Sequence, residues 1–189
     1  INGTKNTIYG ALSLTKATNN TVTINGGTIS NAVIEGAQSE QNIAANNSVV
    51  INSGTLNGNS IVCGAYGYTK ASDNSVMITG GTVSGRIYAG YAANKNVTDN
   101  TLTIDPLHTM DISGASLYGS NASHDQDSSG NQLGNTLDVY QKGITATNVA
   151  NFSNINFYLP SSIQSGDTVL TLTNSAGTDV SYSTVSAYV

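Results

Sequence analysis

The hydrophobic and polar positions of this chain follow a short pattern that returns at a regular interval. In each copy an asparagine is followed by four residues, of which the second and fourth are Val, Ile or Leu. Successive copies begin 27, 27, 26 and 35 residues apart. They start at Asn20, Asn47, Asn74, Asn100 and Asn135. Alternation with a period of two predicts a strand that buries one face, and a repeat of this length predicts a solenoid.

Each repeat contains two further strand-like pieces. A glycine-rich turn precedes the first of them, which begins at Thr28, Thr55 and Thr82. The second carries an apolar residue predicted to point inward, namely Ile8, Val33, Ile61, Ile87 or Leu117. Apolar residues at helical spacing are missing from the sequence. We therefore predict an all-β fold, a right-handed parallel β-helix (β-solenoid) with three strands per coil and about 27 residues per coil.

The repeat divides the chain into two parts of one domain. Residues 1–139 are predicted to form the repeat array, and residues 140–189 to form less regular C-terminal coils that continue it. The chain begins at Ile1 without Met, which we interpret as a fragment of a longer protein. The stretches between the third strand and the next asparagine are predicted to be loops that leave one corner of the stack. They are residues 11–19, 37–46, 65–73, 91–99 and 120–134.

Two columns of stacked side chains are expected along the coils. The five asparagines share the inward parity of the apolar residues, so we predict a structural ladder of side-chain amides. On the third strand, the outward column is predicted to be Tyr9, Ile34, Val62, Tyr88 and Tyr118, with Tyr66, Tyr68 and Tyr91 extending it. Such a column is either a ligand-contact patch or aromatic packing that stiffens the sheet.

Other candidate chemistry is sparse. Asp125, Asp127 and Gly130 have the spacing of the first half of a calcium loop, but Thr136 stands where a bidentate Glu is needed, so an ordinary polar loop is favoured. Cys63 is predicted to be a buried, inert thiol at an inward position shared with Gly10, Ala89 and Gly119. Glu35 falls in the same column. A carboxylate there needs a partner or a raised pKa, unless it turns outward or the coil shifts locally.

Composition narrows the function classes. Charged residues make up 9% of the chain, and the net charge of −5 disfavours nucleic acid and anionic membranes as partners. No apolar run approaches the length of a membrane span, so direct membrane insertion is not expected. His108 and His124 lack metal-ligand spacing, and Asp105 and Asp111 are as easily turn residues as a catalytic pair. The sequence predicts no cofactor and no enzyme activity.

The motifs Asn-Thr/Ser-Val-x-Ile, Gly-Gly-Thr-Val and Ile-Tyr-Ala-Gly-Tyr, carried best by residues 20–119, resemble the passenger arrays of autotransporter-type (type V secretion) bacterial surface adhesins. The stretches 148–160 and 166–168 are similar to the segment that follows such arrays. The resemblance implies an extracellular protein at the bacterial cell surface, attached to the outer membrane through regions outside this chain. It implies adhesion to a host surface protein or glycan, or self-association, with a role in virulence. The alternatives are a polysaccharide-acting β-helix enzyme, a phage-tailspike-like fragment, or a spacer.

Overall fold

The computed structural model describes residues 6–105 and 107–189, and these form a β-solenoid of about 7 turns with roughly 27 residues per turn. The predicted fold class is therefore confirmed. The helical structure described is limited to two 3-10 turns, Ser123–Asp125 and Ser175–Gly177. In the described residues, no helix is long and apolar enough to cross a membrane. The predicted array at 1–139 includes residues 1–5 and 106, which lie outside the described part.

The strands that follow the repeated asparagine form one long parallel sheet, the asparagine sheet. Its register stacks Val22, Val49, Val76, Leu102 and Leu137 in a single column. All five side chains are buried, because alternation places every second residue of these strands inside the coil. The strands are Thr21–Ser30, Ser48–Asn57, Ser75–Ile78, Gly81–Val83, Thr101–Ile104, Met110–Asp111, Thr136–Val139, Asn154–Tyr158 and Thr184–Tyr188.

A second parallel sheet, the tyrosine sheet, is made of the predicted third strands. They are Asn6–Tyr9, Ala32–Glu35, Ile61–Cys63, Gly85–Tyr88, Ala115–Tyr118 and Asn148–Ala150. Its inward column is Ile8, Ile34, Val62, Ile87, Leu117 and Val149. Ile34 and Val62 are 0% and 1% exposed, so the prediction that they point outward was wrong. Val33 and Ile61, predicted to point inward, lie on the outer side of the same strands.

The same one-residue shift moves Glu35 and Cys63 to the outer face. Glu35 pairs with Tyr9 and with Cys63, and Cys63 pairs with Tyr88. The predicted inward column of Cys63 with Gly10, Ala89 and Gly119 was therefore wrong. Glu35 turns outward because the inward slot of its strand is taken by Ile34.

A glycine or alanine follows each of the first five of these strands and fixes this register. A Cβ added to Gly36 would lie 2.3 Å from the carbonyl oxygen of Gly64 and 2.8 Å from the backbone nitrogen of Ser48. These contacts are closer than any side chain tolerates, so the backbone of each coil touches its neighbours at this corner. The inward-pointing residue stands two positions before the small residue, as Ile34 stands before Gly36.

The segments predicted to be loops between residues 11 and 99 contain short strands, which pair from coil to coil. One sheet consists of Leu12–Ser13, Gln38–Ser39, Tyr66–Gly67 and Tyr91–Ala92, and the other of Lys16–Thr18, Ile43–Ala45, Lys70–Ser72 and Val97–Thr98. A coil in this region therefore has more than the three strands predicted. The reason is that small inward residues, such as Ala71 and Ala92, let this side of the coil close with a narrow core.

Parallel pairing continues beyond residue 139. Thr136–Val139 pairs with Asn154–Tyr158, which pairs with Thr184–Tyr188, so the asparagine sheet extends through the less regular region. Ile144–Ala146 pairs with Leu170–Leu172 in a small separate sheet.

Candidate functional site

The five repeated asparagines form a continuous ladder of hydrogen bonds inside the solenoid. The Nδ2 of each donates to the Oδ1 of the next, at 2.9, 3.0, 2.9 and 2.8 Å. The same Oδ1 also accepts the backbone N–H of the preceding asparagine, at 2.9 to 3.0 Å. The remaining amide hydrogens reach backbone carbonyls such as those of Ala17 and Ala44. The ladder therefore joins successive coils, and the Oδ1 atoms of Asn47, Asn74, Asn100 and Asn135 all accept hydrogen bonds within it.

Asp125 ends the ladder, a role that sequence reasoning missed. Its Oδ1 accepts Asn135 Nδ2 at 2.6 Å, and its Oδ2 accepts the backbone N–H of Asn135 at 3.1 Å. Oδ2 also accepts the backbone N–H and the hydroxyl of Ser153, at 2.9 and 2.5 Å. Burial raises the pKa of Asp125, opposed by the hydrogen bonds from Ser153 and Asn135. This buried acceptor lies in the 120–134 segment of the longest repeat, the 35-residue step from Asn100 to Asn135.

The two carboxylates considered for calcium do not share a site. Asp125 is fully buried, whereas Asp127 lies on the surface, where its Oδ1 accepts the backbone N–H groups of Ser129 and Asn131 at 2.8 and 2.9 Å. Hydrogen bonds from Asn131 and Ser129 lower the pKa of Asp127. Over residues 6–105 and 107–189, no group of three or more His, Cys, Asp or Glu side chains is placed to hold a metal ion.

We expect Asn74→Ala to lower the free energy of unfolding by about 2 kcal/mol, because buried donors and acceptors lose their partners. The backbone N–H of Asn47 loses its acceptor at 2.9 Å, and the carbonyl of Ala44 loses its donor at 3.1 Å. Urea denaturation followed by circular dichroism measures the change. Asn25→Ala, which removes the exposed amide pair with Asn52, is the matched control. Equal stability of both variants would refute the stabilising role of the ladder.

Tyrosines from two sheets meet on the outer surface of the solenoid. Tyr88 stacks on Tyr118 with ring centroids 4.9 Å apart, and Tyr66 stacks on Tyr91 at 5.8 Å. The two pairs are joined by an edge-to-face contact between Tyr88 and Tyr91 at 5.3 Å. This contact crosses from the tyrosine sheet to the adjoining short sheet. The tyrosine surface (Tyr66, Tyr88, Tyr91 and Tyr118) therefore covers a corner between two sheets with packed, partly buried rings.

The other residues predicted for the ligand-contact column lie outside the tyrosine surface. Tyr9 lies in the outward column but is separated from Tyr88 by the two strands that carry Glu35 and Cys63. Tyr68 is exposed beyond the short sheet, and Ile34 and Val62 are in the core. Five of the eight predicted contact residues thus belong to this corner or to its immediate flank, since Tyr68 follows the strand of Tyr66.

A cleft of about 340 Å³ opens beside the tyrosine surface. It forms where the outward column has Glu35 and Cys63 instead of tyrosine, so that two ring-sized places are left open. The rings of Tyr66, Tyr88 and Tyr91 stand around it. The other lining residues are Val33, Glu35, Ile61, Cys63 and Arg86.

Glu35 is the unusual residue of this cleft. Glu35 is only 7% exposed, and its Oε2 has no hydrogen-bond partner among the described residues. Burial raises the pKa of Glu35 from 4.5 to about 7. The carboxyl group therefore changes its charge near neutral pH, inside a recess walled by aromatic rings.

Cys63 lies beside Glu35 but is not arranged as a nucleophile. Its thiol donates to the carbonyl oxygen of Ala65 at 3.0 Å and is fully buried. Burial, with the neighbouring Glu35 carboxylate, raises the pKa of the thiol well above its usual range. The reactive thiolate is therefore disfavoured at neutral pH.

The ionisation of Glu35 predicts a pH dependence of stability. The raised pKa means that the folded state keeps its proton after the unfolded chain has lost it. The contribution of the protonated Glu35 side chain to the free energy of unfolding is fully present below pH 4.5, and it is lost as the pH rises through about 7. We expect the wild type to lose about 3 kcal/mol over this window relative to Glu35→Gln. Chemical denaturation of both proteins at pH 4, 6 and 8 measures the difference, and parallel pH curves would contradict it.

The other candidate residues of the sequence analysis lie away from the lining of this cleft. Another cleft, of about 780 Å³, lies beside the 120–134 insertion and is lined mainly by polar residues, including Asp127 and His124. His124 Nδ1 pairs with Asp179 Oδ2 at 2.7 Å. Asp111 accepts the backbone N–H of Ser113 at 2.9 Å, the hydrogen bond that lowers its pKa, and thus acts as a turn residue.

A second aromatic column was missed by the sequence reasoning. On the asparagine sheet, Tyr158 stacks on Tyr140 with ring centroids 4.3 Å apart and on Tyr188 at 5.0 Å. These tyrosines lie in the irregular region, where the repeat length changes, so no fixed spacing relates them. Alternation within Thr136–Val139 and Asn154–Tyr158, aligned on their apolar residues, was the signal that could have found them.

Comparison of the chain with protein-family models, with curated proteins and with solved structures found no match in any of the three.

Proposed function

We propose that this chain is a non-catalytic segment of a bacterial cell-surface protein of the autotransporter-passenger kind, and that it mediates adhesion or self-association. The observation that carries the proposal is the tyrosine surface, whose four rings are in mutual contact on the outer face of a rigid stack. Tyrosine offers large contact area and a hydroxyl at a low entropic cost, and it is enriched where proteins bind proteins or sugars.

The rest of the solenoid supports this proposal. Parallel strands and the asparagine ladder hold the rings at fixed positions, so little ordering is required on binding. The partner is a host surface protein, a glycan or a second copy of this chain. The recurring motifs of the sequence support an extracellular location at the bacterial surface.

A binding screen with matched variants tests the proposal. Immobilised protein is probed with a glycan array and extracellular-matrix proteins, while sedimentation velocity measures self-association. Tyr88→Ser with Tyr118→Ser should lose the binding found for the wild type, whereas Tyr140→Ser with Tyr158→Ser, on the other sheet, should retain it. Failure of the wild type in every assay would leave a spacer as the function.

A polysaccharide-acting enzyme is the second candidate, and one observation favours it. A carboxyl group with a pKa of about 7, as in Glu35, suits a general acid. Glycoside hydrolysis ordinarily needs a second carboxylate within about 10 Å, yet Glu35 is the single carboxylate among the described residues that line the cleft. Release of reducing ends by the wild type but not by Glu35→Gln would favour the enzyme over adhesion.

A further inference from the structure

The cleft beside the tyrosine surface contains a carboxyl group that the fold itself does not use. Glu35 packs on the outer face, where no neighbouring coil requires a carboxylate: Tyr9 and Cys63 occupy the adjacent positions. In the described part of the chain, its Oε2 has no hydrogen-bond donor, and the ion pairs found there join His124 to Asp179 and Lys142 to Asp167. A buried carboxylate oxygen without a hydrogen-bond donor is unfavourable, so a donor from outside the chain would stabilise it.

The walls of the cleft select the charge of that partner. The rings of Tyr66, Tyr88 and Tyr91 line the same cleft as the carboxyl group, and the face of an aromatic ring attracts cations. An anion would be repelled by Glu35 and by the net charge of −5. Arg86 lines the cleft, but no ion pair within 4.0 Å joins it to Glu35 among the described contacts.

The size and the donor set of the cleft select the type of cation. A divalent metal ion needs several oxygen or nitrogen ligands, whereas Glu35 is the sole carboxylate among the described lining residues. A volume of about 340 Å³ suits a small organic group. An ammonium on a short alkyl stem places its charge at the carboxylate and its methylenes against the rings and against Val33 and Ile61.

We propose that the cleft formed by Glu35, Tyr66, Tyr88 and Tyr91 binds an alkylammonium group, such as the side chain of a lysine on a partner protein. The proposal rests on the proposed adhesive function and makes it more specific, because it identifies the chemical group that the tyrosine surface recognises. The carboxylate neutralises the ammonium, and the rings contact its stem and its charge.

Binding is expected to depend on pH, because the ammonium requires the ionised form of Glu35. The titratable and charged groups that face Glu35 are Tyr9 and Cys63 on the adjacent strands, Arg86 and Tyr88 one strand further, and Tyr66 and Tyr91 on the short sheet. The pKa values of Cys63, Tyr66 and Tyr88 are raised by burial, so these groups stay neutral between pH 5.5 and 8. Glu35, with a pKa of about 7, is the group that changes.

Titration of the whole chain with small probes tests the proposal. The probes are n-butylammonium and Nα-acetyl-lysine N-methylamide, with n-butanol as the uncharged control, and binding is followed by NMR chemical shifts of the tyrosine rings. We expect saturable binding of both cations at pH 8 and affinity about thirtyfold weaker at pH 5.5, the ratio of ionised Glu35 at the two pH values. The alcohol should bind far more weakly than either cation.

Two variants locate the site. Glu35→Gln should remove the pH dependence and most of the affinity, and Tyr66→Leu should weaken binding while retaining an apolar wall. Tyr140→Leu, on the asparagine sheet, is the matched control and should bind as the wild type does. Equal binding of n-butanol, unchanged affinity in Glu35→Gln, or no binding of the cations at pH 8 would each overturn the proposal. Adhesion to matrix proteins or glycans without ammonium binding would leave the proposed function standing and remove this inference alone.

Discussion

Asp125→Ala is expected to lower the free energy of unfolding by about 4 kcal/mol, because it removes the last acceptor of the asparagine ladder. The backbone N–H and the side-chain Nδ2 of Asn135 donate to this carboxylate at 3.1 and 2.6 Å, and Asn135 is completely buried. Each buried donor left without an acceptor costs about 1–3 kcal/mol. Equilibrium denaturation in urea, followed by circular dichroism, measures the loss.

Two further variants separate the hydrogen bonds from other effects of the change. Asp125→Asn keeps the shape but places an amide donor against the Asn135 Nδ2 group, which now donates to Oδ1 at 2.6 Å. It should therefore also destabilise. Asp127→Ala, two residues away on the surface, removes an exposed turn and should cost less than about 1 kcal/mol. Similar stability of the Asp125 and Asp127 variants would show that the ladder needs no terminal acceptor.

Ile34→Ala is expected to destabilise the protein by about 3 to 4 kcal/mol, because it opens a cavity in the core of the tyrosine sheet. Ile34 is completely buried between Ile8 and Val62 of the neighbouring coils. Thermal and chemical denaturation measure the loss.

Val33→Ala, the adjacent position, is the control for that measurement. Val33 lies on the outer face and is only partly buried, so its truncation should cost less than about 1 kcal/mol. The reverse order, with Val33 the more sensitive position, would indicate the register in which Val33 points inward.

The sequence was sufficient to predict the fold because the repeat is visible in two independent signals. The interval between asparagines indicates the coil length, and the alternation after each asparagine indicates which residues face inward. Both signals agree at Asn74, Val76 and Ile78, which the structure buries. The short sheets were not predicted because each of their strands has only two or three residues. Their inward side chains are small, such as those of Ala44 and Ala71, so hydrophobic and polar positions hardly differ along them.

The register of the tyrosine sheet could not be read from hydrophobicity alone. Val33-Ile34 and Ile61-Val62 are pairs of consecutive apolar residues, so either member fits the core. The glycines that follow decide between them, because Gly36 and Gly64 must face the backbone of the next coil. A pattern of apolar residues aligned on these glycines would have predicted the observed register.

The candidate site was predicted only in part for the same reason. Tyr66, Tyr88, Tyr91 and Tyr118 were identified as a possible contact surface, and the structure brings their rings together. The cleft depends on the interruption of the tyrosine column at Glu35 and Cys63. Placing these residues on the inner face concealed it, although the sequence did indicate that Glu35 needed a partner, a raised pKa or an outward position.

The hydrogen bonds of the asparagine ladder run in one direction along the solenoid and repeat once per coil. Asn47, Asn74 and Asn100 each donate Nδ2 to the Oδ1 of the next asparagine of the ladder and accept from the preceding one, so a coil inserted among them receives a donor on one side and an acceptor on the other. Duplicating residues 47–73 in tandem would therefore lengthen the solenoid by one coil, or about 4.8 Å, without orphaning a single amide. The number of coils that precede Asp125 can therefore change without breaking the ladder. Recombination between repeats can thus set the length of the solenoid.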